Sequence, residues 1–186
     1  MAQSRIRLFG LSGSPRRASV NQRLLSLAAA AQPEIEPAAI GSFAMPLYTP
    51  DDEHVIPAAT LALRDRIAGA EGLVIASPEH NSAPSAALKN AIDWLSRLPG
   101  EAQVFQGKPA LLLSASPGKN GGRRGLKQLR EILIGLGAEV ADGQLCVPRA
   151  EETLAAAEAD PAHPLHGDLA GALRAFLAGL RGSATA

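Results

Sequence analysis

The apolar positions of this chain alternate between short continuous runs and regularly spaced stripes. Continuous runs occur at residues 72–77 and 109–115, and a shorter strand candidate begins at Ile6. Such runs are typical of parallel strands that are covered on both faces. Stripes with three- and four-residue spacing predict the intervening helices. Their apolar positions are Leu24, Leu25 and Ala28, then Ile56, Leu63 and Ile67, then Leu88, Ala91, Ile92 and Leu95, then Leu126, Leu129, Leu133 and Leu136, and finally Leu165, Leu169, Leu173, Phe176 and Leu180.

Strands and helices alternate along the chain. Two more strands are predicted at residues 35–40 and 138–147, and Asp142-Gly143 is a candidate break in the second of them. Gly137 is predicted to end the preceding helix as a C-cap. This alternation predicts an α/β fold, a doubly wound parallel sheet with helices on both faces and right-handed crossovers. Five strands in the flavodoxin-like order 2-1-3-4-5 fit the pattern.

The length of 186 residues predicts a single domain that spans residues 1–186. Within it, the first helix is expected at about residues 21–31. The alanine- and glutamate-rich stretch at residues 150–162 shows no apolar face and ends in prolines, so it is predicted to be a partly helical connector.

The first strand candidate leads into a loop suited to an anion. Residues 12–15 read Ser-Gly-Ser-Pro, and two arginines follow them. Hydroxyls, backbone N–H groups and a helix N-terminus together bind phosphate. The loop has neither the G-x-G-x-x-G fingerprint nor the Gly-Lys-Ser/Thr ending of a P-loop. It therefore predicts a monophosphate held by Ser14, Arg16, Ser19 and Asn21, with an ordinary β–α turn and solvated arginines as the alternative.

Two further loops should lie at the same end of the sheet, beyond the carboxyl ends of its strands. They follow the next two continuous strands and span residues 78–85 and 116–122. In doubly wound sheets ligands bind beyond the carboxyl ends of the strands, where the strand order reverses. The three loops are therefore expected to converge on one ligand. The tract at residues 43–50 contains two prolines and predicts an unusually apolar loop that lines a site or meets a partner.

Charge and composition limit the kinds of partner. The chain has 18 basic and 18 acidic residues and no basic field for nucleic acid. No stretch approaches the roughly 18 apolar residues of a membrane span, so a cytoplasmic location is predicted. The single cysteine, Cys146, excludes an internal disulfide and a cysteine-based metal cluster, and its side chain is expected to be buried. The histidines lack the spacing of metal ligands. Aromatic residues are scarce, so backbone, aliphatic walls or a partner subunit would hold a flat ligand.

Three motifs occur in order along residues 5–148. The first is G-S-x-R-x-x-S-x-N at residues 13–21. The second is P-E-H-N at residues 78–81, followed by L-K-N-A-I-D-W at residues 88–94. The third is S-A-S-P-G with two later glycines at residues 114–122. Together they resemble the NAD(P)H-dependent FMN reductase family, a flavodoxin-like group that includes quinone, chromate and azo-dye reductases.

The resemblance implies an FMN site built by all three loops. The first loop would bind the phosphate, with Arg16 preferred over Arg17. The second would follow the flavin edge, and the third would approach the pyrimidine side, where backbone N–H groups could stabilise charge on the reduced flavin. The implied cofactor-binding residues are Ser14, Arg16, Ser19, Asn21, Pro78, Glu79, His80, Asn81, Ser82, Ser116, Pro117, Gly118 and Gly121. Plainer roles remain open, since Glu79 would also brace its turn and residues 118–122 would also form an ordinary glycine-rich turn.

The chain departs from the family at two places. His80 stands where the family has a tyrosine, and residues 82–85 read Ser-Ala-Pro-Ser where the family usually has Ser-x-Pro-Gly. Because the tyrosine position lies against the flavin in relatives, His80 could alter stacking or add a hydrogen-bond donor. The departure concerns the choice of electron acceptor rather than phosphate binding.

The resemblance also implies an activity. NADPH or NADH would reduce bound FMN and leave, and a quinone, free flavin, azo compound or metal oxyanion would then take the electrons, in a ping-pong scheme. No catalytic side chain is required, because the flavin carries the chemistry. The alternatives are a flavodoxin-type electron carrier, which the neutral charge and scarce aromatics disfavour, and a non-catalytic flavin-binding module.

A homodimer or homotetramer is expected from the same resemblance. Relatives dimerise over the flavin, near the apolar loop at residues 43–48 and the helix end at Asp93-Trp94. Within that helix, Lys89, Asn90, Asp93 and Trp94 recur in the family and are expected to serve packing or a subunit contact rather than catalysis.

Overall fold

The computed structural model describes residues 6–98 and 103–183. Its strands and helices alternate as the apolar pattern predicts. In chain order they are β1 (Leu8–Ser12), α1 (Val20–Ala31), β2 (Ile35–Ala39), α2 (Ala58–Ala68), β3 (Gly72–Ala76), β4 (Glu79–His80), β5 (Ala83–Pro84), α3 (Ala86–Ser96), β6 (Pro109–Ala115), α4 (Arg123–Gly135), β7 (Glu139–Val140), β8 (Leu145–Val147), α5 (Ala150–Ala159) and α6 (Pro164–Ser183). Short 3₁₀ turns lie at Ile40–Ser42 and Pro50–Asp52.

The central sheet is parallel and has the order β2-β1-β3-β6, with β7 and β8 both paired to β6. The strand β7 lies beside Pro109 and Ala110, and β8 lies beside residues 113–115. The predicted fifth strand is thus present in two pieces, separated at Asp142-Gly143, where both residues disfavour strand structure. The flavodoxin-like class is confirmed, while the strand count of the central sheet is corrected to six within the described part of the chain.

The two edges of this sheet differ from its centre. One edge is β2, which carries Pro37 in its middle. The other is the interrupted pair β7 and β8. The three strands between them, β1, β3 and β6, are almost fully buried, as expected for strands covered on both faces.

Helices cover both faces of the sheet. The helices α2, α3 and α4 pack on one face against Phe9, Leu11 and their neighbours. The helices α1, α5 and α6 pack on the other, against Leu8 and Val74. This alternation of sides follows from the two-residue period of a strand. No helix in the described ranges has the length and apolar character needed to cross a membrane.

The prediction that residues 150–162 lack an apolar face is wrong. They contain α5, and its positions Ala150, Leu154 and Ala157 are buried on the second core face. Their spacing of four and three residues is helical. The stripe was missed because two of its three members are alanines, which are common on both faces of a helix.

The end of α4 confirms the C-cap prediction. Gly137 adopts a φ of 86°, its N–H donates to the carbonyl of Ile134 at 2.9 Å, and the N–H of Ala138 donates to the carbonyl of Leu133 at 3.0 Å. This pair of bonds is the Schellman motif. It turns the chain directly into β7.

Candidate functional site

The first loop begins with a close approach of the backbone to α3. Gly13 follows β1, and its N–H donates to the carbonyl of Ala76 at 2.9 Å. A Cβ at Gly13 would lie 2.8 Å from Leu88 Cδ2, so a larger residue would force the loop off the helix. Ser85 Oγ donates to the Gly13 carbonyl and accepts the N–H of Leu88 at 3.1 Å. Ser85 therefore caps α3 and joins the first loop to the second, a role that sequence reasoning missed.

The N-terminus of α1 carries a hydroxyl cap and lies beside a second hydroxyl group. Ser19 is the N-cap, and its Oγ accepts from the N–H groups of Asn21 at 3.2 Å and Gln22 at 3.4 Å. Ser14 Oγ accepts the N–H of Arg16 at 3.3 Å. Both hydroxyl groups keep their own hydrogen for another acceptor. Because the helix dipole also favours negative charge here, the arrangement suits a phosphate.

The two arginines of this loop reach outward. Arg16 and Arg17 are exposed, and neither guanidinium is hydrogen-bonded or ion-paired within residues 6–98 and 103–183. Several other arginines are paired with carboxylates, as Arg23 is with Glu151 and Glu158. The loop thus offers an unpaired cation beside the buried hydroxyls of Ser14 and Ser19, which are 8% and 4% exposed.

Asn21 makes a buried contact that the sequence does not predict. Its side chain is buried, Nδ2 donates to the carbonyl of Ala115 at 2.8 Å, and Oδ1 accepts the N–H of Ala115 at 2.9 Å. This clamp joins α1 to the end of β6. The side chain is therefore a positioning group, and the backbone N–H of the same residue is already bonded to Ser19 Oγ at 3.2 Å. Phosphate binding by Asn21 stays a prediction.

The second loop is a β-hairpin that the sequence analysis did not predict. The strands β4 and β5 pair antiparallel around a two-residue turn, Asn81-Ser82. These residues have φ values of 52° and 66°, which is the type I′ pattern. Asparagine tolerates this conformation, whereas serine pays roughly 1 kcal/mol in it. His80 is exposed at the turn, and Pro78 lies half-buried at the hairpin's base.

Glu79 takes the bracing role that the sequence left open. Its Oε2 accepts the N–H of Gly125 at 3.0 Å, in the first turn of α4. A carboxylate at a helix N-terminus is stabilised by the helix dipole. A Cβ at Gly125 would lie 3.0 Å from the Ala83 carbonyl oxygen, so the hairpin packs directly against the helix.

The third loop, which contains Ser116, Pro117, Gly118 and Gly121, is folded onto β8. Ser116 N–H donates to the carbonyl of Val147 at 3.1 Å, and Ser116 Oγ accepts the N–H of Gly118 at 3.3 Å. Gly121 has a φ of 58°, and a Cβ there would lie 2.8 Å from Val147 N. Glycine is required at this position because both the conformation and the space exclude a side chain.

The three loops therefore form one connected unit at the carboxyl ends of the central strands. The parallel strands β1, β3 and β6 are neighbours, so their carboxyl ends lie together. Ser85 joins the first loop to the second, Asn21 joins the first helix to the strand before the third loop, and Glu79 joins the hairpin to α4. Loop residues 12–21, 78–85 and 116–122 contain no phenylalanine, tyrosine or tryptophan. The surface formed by the three loops can hold a phosphate at the first loop and leave a flat ring exposed.

The apolar tract at residues 43–50 is held by α3. Asn90 Nδ2 and Trp94 Nε1 each donate to the carbonyl of Pro46 at 2.9 Å, and Asn90 Oδ1 accepts the N–H of Tyr48 at 2.7 Å. The rings of Tyr48 and Trp94 meet edge to face at 5.5 Å. The expected packing role of Asn90 and Trp94 is therefore present, but Trp94 is fully buried and does not reach a partner. Leu47, 82% exposed, is the apolar side chain that the tract presents outward.

Cys146 is half-buried rather than buried as expected. It packs beside the core face of α2, α3 and α4. Burial raises the pKa of its thiol, while nearby Arg123 acts in the opposite direction. A thiol of this kind is protonated near neutral pH and is a poor nucleophile.

Comparison with known proteins gives consistent matches. The family model of NADPH-dependent FMN reductase matches residues 6–152. The quinone reductase of Escherichia coli (strain K12) is 42% identical over 144 residues, which cover 73% of each chain. The NAD(P)H-dependent FMN reductase of Pseudomonas aeruginosa is 41% identical over 133 residues, which cover 69% of this chain and 70% of the relative.

A solved structure shows the same fold. FerB, the flavoenzyme NAD(P)H:(acceptor) oxidoreductase from Paracoccus denitrificans, has a TM-score of 0.74 with 24% sequence identity. The match covers 95% of this chain and 98% of that one.

Proposed function

Because the chain belongs to the NADPH-dependent FMN reductase family, we propose that it is a quinone reductase whose FMN is held by the three connected loops. The membership makes it an oxidoreductase that uses FMN and NADPH or NADH. The choice of quinones as acceptors is supported by the names of two relatives, quinone reductase and 2-hydroxy-1,4-benzoquinone reductase. Free flavin, azo compounds and metal oxyanions are further acceptors that an open site would accept.

The observation that carries the proposal is the unpaired Arg16 beside two buried hydroxyls at a helix N-terminus. A phosphate dianion needs a cation and several hydrogen-bond donors, and charge-assisted bonds of this kind are the strong ones. The hydroxyl groups of Ser14 and Ser19 keep their own hydrogen and would supply further donors. The donor set therefore fits the phosphate of FMN, and Arg17 is a solvated neighbour.

The other two loops would hold the ring system. Backbone of the hairpin at residues 78–82 would follow its edge, with His80 exposed at the turn. The third loop, residues 116–122, would approach the pyrimidine side of the ring with its backbone. The N–H groups of Gly118 and Gly121 already donate to Ser116 Oγ and to the Gly118 carbonyl, so we do not assign them to the ring. We assign Glu79 to holding the hairpin against α4 rather than to the ring, since its carboxylate already accepts from Gly125.

The chain supplies binding, orientation and electrostatics. Ser14, Arg16 and Ser19 would hold FMN by its phosphate, and the bound group would supply hydride transfer from NAD(P)H to a quinone, which would take one further proton from solvent to become a hydroquinone. No protein acid, base or nucleophile is needed for this exchange. Because no phenylalanine, tyrosine or tryptophan stands in the three loops to cover the ring, nicotinamide and quinone would use the same open face in turn. This supports a ping-pong scheme and disfavours a flavodoxin-type carrier.

We also propose a homodimer or a dimer of dimers. The exposed Leu47 in a loop that α3 holds rigidly is the apolar contact that supports it. The cytoplasmic location remains a prediction, which the dependence on NADPH or NADH supports.

The proposal is tested by the spectrum of the purified protein and its response to reductant. An oxidised-flavin band that NADPH bleaches without oxygen, and that 1,4-benzoquinone restores, is expected. Absence of the band after incubation with FMN, or a band that neither NADPH nor NADH bleaches, would contradict the proposed function.

The phosphate site is tested separately by Arg16→Ala. Loss of one charge-assisted bond costs about 1.5–3 kcal/mol, so FMN affinity should fall by roughly 10- to 150-fold. Riboflavin, which lacks the phosphate, should bind the variant as it binds the parent. Arg17→Ala is the matched control and should change neither affinity by more than about twofold. Equal weakening of FMN and riboflavin in a fluorescence titration would show that Arg16 does not hold the phosphate.

A further inference from the structure

A cleft of about 490 Å³ opens beside the third loop. It is lined by Lys119, Asn120, Arg123, Arg124, Cys146 and Pro148. The first four belong to the loop and the first turn of α4, and the last two belong to β8 and the residue after it. The cleft therefore forms where β8 pairs with β6 and brings two distant parts of the chain together.

The charge of this cleft is one-sided. Lys119, Arg123 and Arg124 are exposed, and none of their side chains is hydrogen-bonded or ion-paired within the part of the chain that the structure describes. No residue of the lining is acidic. By contrast, Arg130, nearly two helical turns further along, donates to Asp142 at 2.7 Å. In a chain of zero formal charge, three unneutralised cations around one concavity indicate an anionic ligand.

The cleft adjoins the proposed flavin site through shared elements of structure. Its arginines stand in the first turn of α4, and the same turn donates the Gly125 N–H to Glu79 of the hairpin at 3.0 Å. Gly121 and Gly122, which lie between Lys119 and Arg123, belong to the loop proposed to approach the ring. The cleft and the proposed ring site thus share the third loop and the first turn of α4.

We propose that this cleft binds the 2′-phosphate of NADPH and gives the enzyme a preference for NADPH over NADH. The inference rests on the proposed function, since it assumes that a nicotinamide reaches the ring. A phosphomonoester is a compact dianion that arginine forks and an amide such as Asn120 match in geometry. NADH carries a neutral hydroxyl at that position and would leave the three cations uncompensated.

The kinetic test compares the two reductants in the FMN-loaded enzyme. Arg123→Ala and Arg124→Ala should each lower the ratio of kcat/KM for NADPH to that for NADH by about tenfold, mainly through KM. Lys127→Ala removes the same charge from an exposed position of α4 outside the cleft and should leave the ratio within about twofold. An unchanged ratio in both arginine variants, or an equal loss for NADPH and NADH, would overturn the assignment.

A second measurement does not depend on turnover. Cys146 is the single cysteine of the chain and lines the cleft, so its alkylation by iodoacetamide, measured by mass spectrometry, reports on occupancy. Adenosine 2′,5′-bisphosphate should slow the alkylation at least fivefold more than adenosine 5′-monophosphate does, and Arg123→Ala should remove that difference. Equal protection by the two nucleotides, or by inorganic phosphate alone, would show a general anion site and overturn the proposal even if the enzyme proved inactive as a quinone reductase.

Discussion

Replacement of Asn21 by alanine tests whether one buried amide holds the site together. The side chain makes two hydrogen bonds to the backbone of Ala115, at 2.8 and 2.9 Å, and is 1% exposed. In the variant both the N–H and the carbonyl of Ala115 lose their partner at a position where no side chain replaces it. The end of β6 would then be free to move away from α1.

The expected loss follows from these two groups. Leaving a buried backbone donor or acceptor unsatisfied costs about 1–3 kcal/mol, so Asn21→Ala should reduce the free energy of unfolding by roughly 2–5 kcal/mol. That is a large share of the 5–15 kcal/mol that is typical of folded domains. Asn21→Asp keeps an acceptor for the N–H but places a buried carboxylate against the Ala115 carbonyl. It should be at least as unstable at neutral pH and recover partly at acid pH, because the protonated carboxyl can donate to that carbonyl.

Urea unfolding of the FMN-free protein, followed by circular dichroism, measures the loss as a lower midpoint at constant slope. Ser26→Ala, on the exposed face of the same helix, is the matched control and should shift stability by less than about 0.5 kcal/mol. FMN titration of the folded variant at low temperature should also show weaker binding, because the third loop begins at the residue after Ala115. If Asn21→Ala shifted the midpoint no more than Ser26→Ala, the clamp would have no structural role and the reasoning would be refuted.

Three further predictions concern the surface of the site. His80→Tyr should change KM or relative rates among quinones while FMN affinity stays the same, because His80 is exposed beside the proposed ring site; loss of FMN would argue against this. Leu47→Asp should convert the dimer to a monomer in light scattering at micromolar concentration, and a monomeric parent protein would remove the claim. Burial raises the pKa of Cys146, so its alkylation should begin at higher pH in the folded protein than in urea. The folded state then holds a proton that the unfolded state loses, and this contribution to stability falls as pH rises above the ordinary thiol value of about 8.5; superimposable pH–rate curves would contradict it.

The sheet could be predicted because its central strands are near-continuous apolar runs of five to seven residues. Runs of this kind are typical of parallel strands that are covered on both faces. The hairpin could not, because β4 and β5 have two residues each, too few to show a period. Its turn also reads Asn-Ser rather than Asn-Gly, the usual signal for this turn type. The helix α5 was missed for a related reason, since alanine marks a buried face only weakly.

The sequence could not predict the backbone partners of two candidate site residues. Asn21 and Glu79 were selected for their polar side chains, yet their partners lie 94 and 46 residues away. Neither partner carries a side-chain signal, because both are backbone groups of Ala115 and Gly125. The basic cleft was missed because residues 119–124 and Cys146 become neighbours only when β8 joins the sheet. Contacts that hold the loops in place therefore escape sequence reasoning when one partner is a backbone group distant in the chain.

The two edges of the sheet affect how copies of this chain can associate. An uninterrupted edge strand is a template for a strand from another molecule and leads to aggregation. Here Pro37 removes a backbone donor from the middle of β2, and the gap at Asp142-Gly143 divides the opposite edge into segments of two and three residues. Neither edge can extend the sheet into a neighbouring copy. Crowded or refolding chains are thus directed away from fibril-like stacking, and replacement of Asp142 and Gly143 by valines would restore the edge that these residues interrupt.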